Sequence, residues 1–212
     1  SVTKSIGSLN PTFHIPHSTS LFPPPIALSG DDILLKAKDY LKNGVQSLKL
    51  KHLGTASGYD VVKGYTALID HLIKTLFETM EAGEGKGQMA KGEETAIVAV
   101  GGYGRGELNI RSDIDLMLLY SCKISPYIEK LTQRILYILW DTGLDVGFSI
   151  RSIKECIKLV EDDIKTKTAA LDARFIAGKR GIFDDMTRRL SKEVFREKAF
   201  DSYSGAVFNL SR

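Results

Sequence analysis

Apolar residues recur at helical spacing in three parts of the chain. The first pattern predicts a helix that begins near Ile33 and ends at Asn43-Gly44. The second runs from Tyr59 to about Met80 and predicts a long amphipathic helix. The third covers Ser125 to about Asp141 and ends at a Thr-Gly pair. Helices are therefore expected on both sides of the centre of the chain.

Three short segments between and after these helices are typical of strands. Thr95–Val100 is apolar and rich in β-branched residues, as in a buried strand. Met117–Tyr120 forms the end of a second strand. Leu144–Ile150 alternates between apolar and polar residues, with Asp145 on the polar side. Together they predict a small sheet surrounded by helices.

The second strand begins with two carboxylates, Asp113 and Asp115. Residues two apart on a strand share a face, so both carboxylates should project to one side, while Ile114 and Leu116 enter the core. Adjacent carboxylates repel each other unless a cation lies between them. A hard divalent ion with oxygen ligands, Mg²⁺ or Mn²⁺, suits such a pair.

A glycine-rich turn connects the first two strands and contains Gly101, Gly102 and Gly104, followed by Arg105. Glycines allow backbone N–H groups to approach a phosphate, and an arginine adds a positive charge nearby. Either the turn or the acidic pair alone would be a weak signal, but together they indicate a metal-bound triphosphate. A Rossmann dinucleotide-binding turn does not fit, because its glycines open a long crossover helix, whereas here an acidic pair follows soon after the glycines.

The pattern Gly-Gly-x-Gly-Arg-x-Glu, followed by Ser-Asp-x-Asp-Leu at 112–116, resembles the nucleotidyltransferase motif of the DNA polymerase β superfamily. More closely, it resembles the bacterial PII uridylyltransferase/uridylyl-removing enzymes. Further similar blocks lie at Leu139–Arg151 and Thr168–Gly178, so the likeness covers about residues 30–200. The chain departs from this family at Phe148, where the family usually carries His.

The resemblance implies an α/β (α+β) fold with a small mixed sheet of the polymerase β type. It implies Mg²⁺- or Mn²⁺-dependent transfer of UMP from UTP to a tyrosine of the PII nitrogen-regulatory protein. Asp113 and Asp115 would hold the metal. Asp145 is the candidate third carboxylate, as metal ligand or general base, and Asp141 is its rival. The nucleotide would be bound by residues of the turn and by the serine before the acidic pair: Gly101, Gly102, Gly104, Arg105 and Ser112.

Four regions follow from these patterns. Residues 1–30, rich in Ser, Thr and Pro, predict an extended or disordered arm. A helical region with a polar linker is expected over 31–94, the nucleotidyltransferase core over 95–160, and a C-terminal helical region over 161–212. Within the last two regions, residues 152–178 and 183–209 have helical patterns.

Composition narrows the choice of partners. The net charge of +3 is too small to favour nucleic acid, and no apolar run approaches the roughly 20 residues of a membrane span. The chain has only two cysteines, which lack metal-ligand spacing. So few cysteines favour a reducing compartment, the cytoplasm.

Two alternative functions stay open: an adenylyltransferase or other NMP transferase of the same superfamily, and a non-catalytic module that binds nucleotide. Full-length members of the family that the motif resembles continue with HD and ACT domains, so the chain is expected to be either a fragment of a longer protein or a stand-alone catalytic lobe.

Overall fold

The protein has a mixed α/β architecture. The structure is a computed structural model that describes residues 32–84, 92–162 and 172–192. Its elements in chain order are α1 (Ile33–Gly54), α2 (Gly58–Glu84), β1 (Thr95–Ala99), α3 (Gly101–Gly104), β2 (Ile114–Tyr120), α4 (Pro126–Asp141), β3 (Val146–Ser152), α5 (Ile153–Asp162), β4 (Arg174–Gly178) and α6 (residues 180–192). In this part of the chain, no helix has the length and apolar character to cross a membrane.

The four strands form one mixed sheet in the order β3-β2-β1-β4. β1 lies in the interior and pairs antiparallel with both β2 and β4. β2 and β3 run parallel, and α4 provides the crossover connection that a parallel pair requires. The predicted small mixed sheet is therefore confirmed.

Helices cover both faces of this sheet. On one face, Ile97 and Leu118 pack against α2 and α4 in the larger hydrophobic cluster. On the other face, Val98 and Leu119 pack against residues of α5 and α6. Burial on both faces explains why β1 is a continuous apolar run rather than an alternating one.

The first helix does not end at Asn43-Gly44 as predicted, but continues to Gly54. Gly44 is buried, and a Cβ built on it would lie 2.4 Å from the Cδ1 atom of Leu68 on α2. The glycine therefore allows α1 to pack closely on α2. Because α1 and α2 share the larger cluster with the sheet, these two helices are part of the same core.

The prediction of helix through residue 178 is wrong at its end. α5 begins at Ile153 as expected, but Arg174–Gly178 is a strand that pairs with β1 at the edge of the sheet. A short apolar run such as Phe175–Ala177 suits either structure, and pairing with β1 decides between them. The helical pattern over 183–209 is confirmed up to residue 192. The remainder, and the predicted arm over 1–30, lie outside the described residues.

Candidate active site

The acidic pair lies where β2 begins, directly beside the end of β1. Ile114 and Leu116 are buried at 1% and 2% exposure, whereas Asp113 and Asp115 are exposed. The backbone N–H of Val100, the residue after β1, donates to the carbonyl oxygen of Asp115 at 3.1 Å. Strand alternation therefore presents the two carboxylates to solvent next to the glycine-rich turn, as the sequence predicts.

The two carboxylates influence each other electrostatically. Partial burial, followed by the negative charge of Asp113, raises the pKa of the Asp115 carboxyl. A cation bound between the two groups would favour the charged form of Asp115 and so oppose both effects. Ser112, the other polar candidate in this segment, is exposed next to Asp113.

Two glycines flank the Asp115 carboxylate. Gly101, with φ +59°, begins α3, and a Cβ built on it would lie 3.1 Å from Oδ2 of Asp115. Gly147 is the register partner of Asp115 on β3, and its Cβ would lie 2.9 Å from Oδ1. Side chains at either position would push against the carboxylate. Sequence reasoning found Gly101 but not Gly147, because only the strand register shows which residue faces Asp115.

The other glycines of the turn have different environments. A Cβ on Gly102 would meet only the Nη2 atom of Arg105, at 3.7 Å, so this backbone is open to a ligand. A Cβ on Gly104 would lie 2.2 Å from the carbonyl oxygen of Asp172 and 3.1 Å from that of Ala99. Gly104, predicted to bind nucleotide, thus has a packing role that accounts for the glycine by itself.

Arg105, predicted to bind phosphate, is held by two carboxylates in the structure. Its Nη1 donates to Oδ2 of Asp172 at 2.9 Å, and its Nε donates to Oε2 of Glu107 at 3.4 Å. The side chain is 49% exposed, so it is still accessible to a ligand. A triphosphate that used Arg105 would compete with these carboxylates.

The structure does not assemble Asp145 into a three-carboxylate metal centre. Asp145 precedes β3, and its carbonyl oxygen accepts from the N–H of Ile114 at 2.9 Å. Yet within the described ranges no three His, Cys, Asp or Glu side chains gather where they could hold one metal ion. The strand position facing Asp115 is Gly147, which supplies no ligand. The rival Asp141 is exposed at the end of α4. Both candidate roles of Asp145, as metal ligand and as general base, stay predictions.

A polar network lies behind the turn, and the local sequence patterns do not indicate it. Asp70, on α2, accepts from the hydroxyl of Tyr103 at 2.6 Å and forms an ion pair with Arg174. Tyr103 is 1% exposed. Burial, and then the charge of Asp70, raise the pKa of its hydroxyl well above the usual value. Distant segments of the chain thus meet behind the glycine-rich turn.

Comparison with known proteins places this site in a family. Residues 87–171 match the nucleotidyltransferase domain family, and this match includes the turn, the acidic pair and β3. The glycine-rich turn and the acidic pair therefore lie in a segment that is similar to this domain family. The mixed four-stranded sheet with surrounding helices agrees with the polymerase β-type fold that the motif predicts.

Relatives extend the similarity beyond this domain. The bifunctional uridylyltransferase/uridylyl-removing enzyme of Ruegeria pomeroyi is 38% identical over 138 residues, which are 65% of this chain and 15% of the relative. The protein of the same name from Azospirillum brasilense is 36% identical over 163 residues, or 76% of this chain and 18% of the relative. The resemblance predicted from the motif is confirmed. The chain spans less than a fifth of the length of these relatives.

One solved structure has a weaker likeness. It is the crystal structure of a toxin-antitoxin with AMP-PNP, which aligns with a TM-score of 0.32 and 16% identity. The alignment covers 63% of this chain and 94% of the other. Similarity at this level says nothing about activity.

Proposed function

We propose that this chain transfers UMP from UTP to a tyrosine hydroxyl of a PII-type nitrogen-regulatory protein in the cytoplasm. The observation that carries the proposal is the Asp113/Asp115 pair, with Asp115 set between Gly101 and Gly147. The domain family supports nucleotidyl transfer. The names of the relatives support uridylyl as the transferred group. The choice of PII as acceptor rests on the resemblance of the motif.

The acidic pair has the donor chemistry that Mg²⁺ or Mn²⁺ requires. Both side chains offer carboxylate oxygens, and partial burial together with the charge of Asp113 raises the pKa of Asp115, which a bound cation would oppose. Mg²⁺ is commonly held by only one or two protein carboxylates, together with water and substrate phosphates. Two carboxylates are therefore enough without a third. A metal bound there would neutralise charge on the phosphates and lower the pKa of the attacking hydroxyl.

The residues of the chain would position the reacting groups. The open backbone at Gly102 leaves room for the triphosphate, and Arg105 lies next to it with an accessible guanidinium. In the reaction, the tyrosine oxygen bonds to the α-phosphorus as the bond to pyrophosphate breaks. The hydroxyl proton passes to a base, for which Asp145 is the candidate.

Nucleotide transfer is tested with UTP labelled at the α-phosphate, Mg²⁺ and a PII-type acceptor. We expect label on an acceptor tyrosine and one pyrophosphate released for each label transferred. Asp113→Asn and Asp115→Asn should abolish both signals. Asp141→Asn is the matched control, because it removes an exposed carboxylate at the end of α4.

The same assay separates the alternatives when ATP, GTP and CTP are supplied in turn. Transfer from ATP in preference to UTP would identify an adenylyltransferase. Nucleotide binding with no pyrophosphate release from any NTP would identify a regulatory module. Wild-type turnover in the Asp113→Asn/Asp115→Asn double variant would reject the acidic pair as the catalytic centre.

A further inference from the structure

The turn that borders Asp115 cannot hold its shape by itself. α3 has only four residues, and a single helical turn is unstable in isolation. Its first residue, Gly101, lies against the Asp115 carboxylate. The position of this carboxylate therefore depends on whatever holds the turn in place.

Arg174 binds the carbonyl end of the turn. Its Nε donates to the carbonyl oxygen of Gly104 at 3.2 Å, and its Nη2 donates to that of Tyr103 at 3.2 Å. The Tyr103 carbonyl also accepts from the N–H of Gly106 at 3.0 Å, so the guanidinium is a second donor to it. The guanidinium also lies over the Tyr103 ring, 5.3 Å from its centroid. Arg174 thus contacts both carbonyls at the end of α3 and the aromatic ring of the turn.

Asp70 fixes the guanidinium in this position. Nη1 of Arg174 donates to Oδ2 of Asp70 at 2.5 Å, and Nη2 donates to Oδ1 at 3.0 Å. This two-pronged pair is anchored on α2, where the neighbouring Leu72 and Ile73 are fully buried. The Tyr103 hydroxyl donates to the same carboxylate at 2.6 Å, so the turn is tied to α2 twice.

Strand pairing brings Arg174 to this place. Arg174 is the first residue of β4 and is the register partner of Ala99, the last residue of β1. The turn begins two residues after Ala99. The pairing of β4 with β1 therefore sets the guanidinium beside the turn, although 70 residues separate Arg174 from Gly104 along the chain.

We propose that Arg174 is a positioning residue of the nucleotidyl-transfer site, which holds the α3 turn and thereby the Gly101–Asp115 contact. The proposal rests on the proposed function, and it assigns Arg174 no contact with the nucleotide. A lysine cannot replace it fully, because one ammonium group cannot reproduce the planar fork that reaches Asp70 and two carbonyls together.

Hydrogen exchange of the purified chain tests whether Arg174 holds the α3 turn, and it does not require enzymatic activity. We expect Arg174→Met and Arg174→Lys to speed amide exchange across residues 101–106, with a smaller effect for lysine. The control is Arg188→Met, which removes an exposed arginine paired with Asp185 on α6. Unchanged exchange of the turn in both Arg174 variants would overturn the proposal, and the lysine variant keeps the test open if the methionine variant fails to fold.

Kinetics tests the link to the reaction. At a temperature where every variant is folded, kcat should fall on the order of 10- to 100-fold in Arg174→Met, as for other supporting residues. The double variant Asp70→Asn/Arg174→Met should lower kcat no more than the more damaging of the two single variants, since both residues act through one network. A lower melting temperature with kcat unchanged would show structural support only and would overturn the positioning role. If the wild type transfers no nucleotide, the proposed function fails, whereas exchange still decides whether Arg174 holds the turn.

Discussion

The carboxylate of Asp115 lies against Gly147, the residue that faces it across the parallel strands β2 and β3. A Cβ on Gly147 would lie 2.9 Å from Oδ1 of Asp115, closer than real Cβ contacts come. On the other side, Gly101 is nearly as close to Oδ2. The carboxylate can therefore occupy this position only because the neighbouring residues on α3 and β3 are glycines.

Gly147→Ala should reduce kcat without unfolding the protein. The added methyl group displaces the Asp115 carboxylate, and misplacement by about 1 Å can cost on the order of 10²-fold in rate. Gly147 is exposed and the atom that must move is the end of a side chain rather than backbone, so the melting temperature should change little. Gly181→Ala is the control, because nothing lies within 4 Å of its Cβ. Equal kcat in the two variants would contradict this account of Gly147.

Asp115→Asn should make the metal-free protein more stable at neutral pH. The pKa of Asp115 is higher in the folded state than in the unfolded state, so the folded state favours the protonated carboxyl. The resulting gain in folding stability is complete below the usual pKa of 3.8 and is lost as pH rises through the raised pKa. Asparagine avoids that loss. Melting curves from pH 3 to 7 should show a gain over the wild type at pH 7 that disappears at the acidic end.

Addition of Mg²⁺ provides the complementary measurement. A ligand that binds only the folded state raises its stability, so Mg²⁺ should raise the melting temperature of the wild type at pH 7. Asp115→Asn should show no such rise. A variant less stable than the wild type at every pH would show that the carboxylate supports the fold rather than a ligand site.

Local sequence patterns were enough to predict the strands and the exposed carboxylates of the candidate site. Thr95–Val100 and the Asp113/Asp115 pair gave the strands and the exposed carboxylates, because both follow from alternation over a few residues. Contacts between distant segments could not be predicted in this way. Asp70 and Arg174 meet across 104 positions, and only the pairing of β4 with β1 brings them together.

Packing also overruled two local signals. Gly44 has the sequence signature of a helix end, but it serves the close approach of α1 to Leu68. The alanine-rich pattern before residue 178 favours a helix, but β1 offers an unpaired edge and the segment 174–178 becomes a strand. In both places a tertiary contact outweighs intrinsic propensity, as is common.

Gly102 and Gly104 should respond differently to alanine. Gly104→Ala places a methyl group against the backbone of Asp172, which cannot easily move, so the melting temperature should fall by several degrees. Gly102→Ala should leave stability unchanged and raise the KM for nucleotide. Thermal melting and nucleotide titration of both variants check this. Wild-type KM in Gly102→Ala would show that this backbone does not approach the phosphates.

The two cysteines test the packing on the far side of the sheet. Cys156 is buried, with Sγ 3.7 Å from Sδ of Met117, and burial raises the pKa of its thiol to about 11. Cys122 is exposed. Iodoacetamide at pH 8 should therefore modify Cys122 alone in the folded protein, and both after unfolding, as read by mass spectrometry. Rapid labelling of Cys156 in a folded Cys122→Ser variant would contradict the packing of α5 on the sheet.

Substitution of Asp145 can distinguish a metal ligand from a general base. It lies beside the start of β2, yet the structure does not gather it with Asp113 and Asp115 into a metal-binding group. We therefore expect Asp145→Asn to bind Mn²⁺ as the wild type does, whereas Asp113→Asn and Asp115→Asn lose binding.

If Asp145 accepts the proton of the attacking tyrosine, the same Asp145→Asn variant should lose on the order of 10²–10⁴-fold in kcat. Its nucleotide KM should change little, because a base acts on the acceptor rather than on the triphosphate. Mn²⁺ titration and steady-state transfer, with Asp141→Asn as the control, distinguish the two roles. Loss of Mn²⁺ binding in Asp145→Asn would identify Asp145 as a metal ligand, and wild-type kcat would exclude it as the general base.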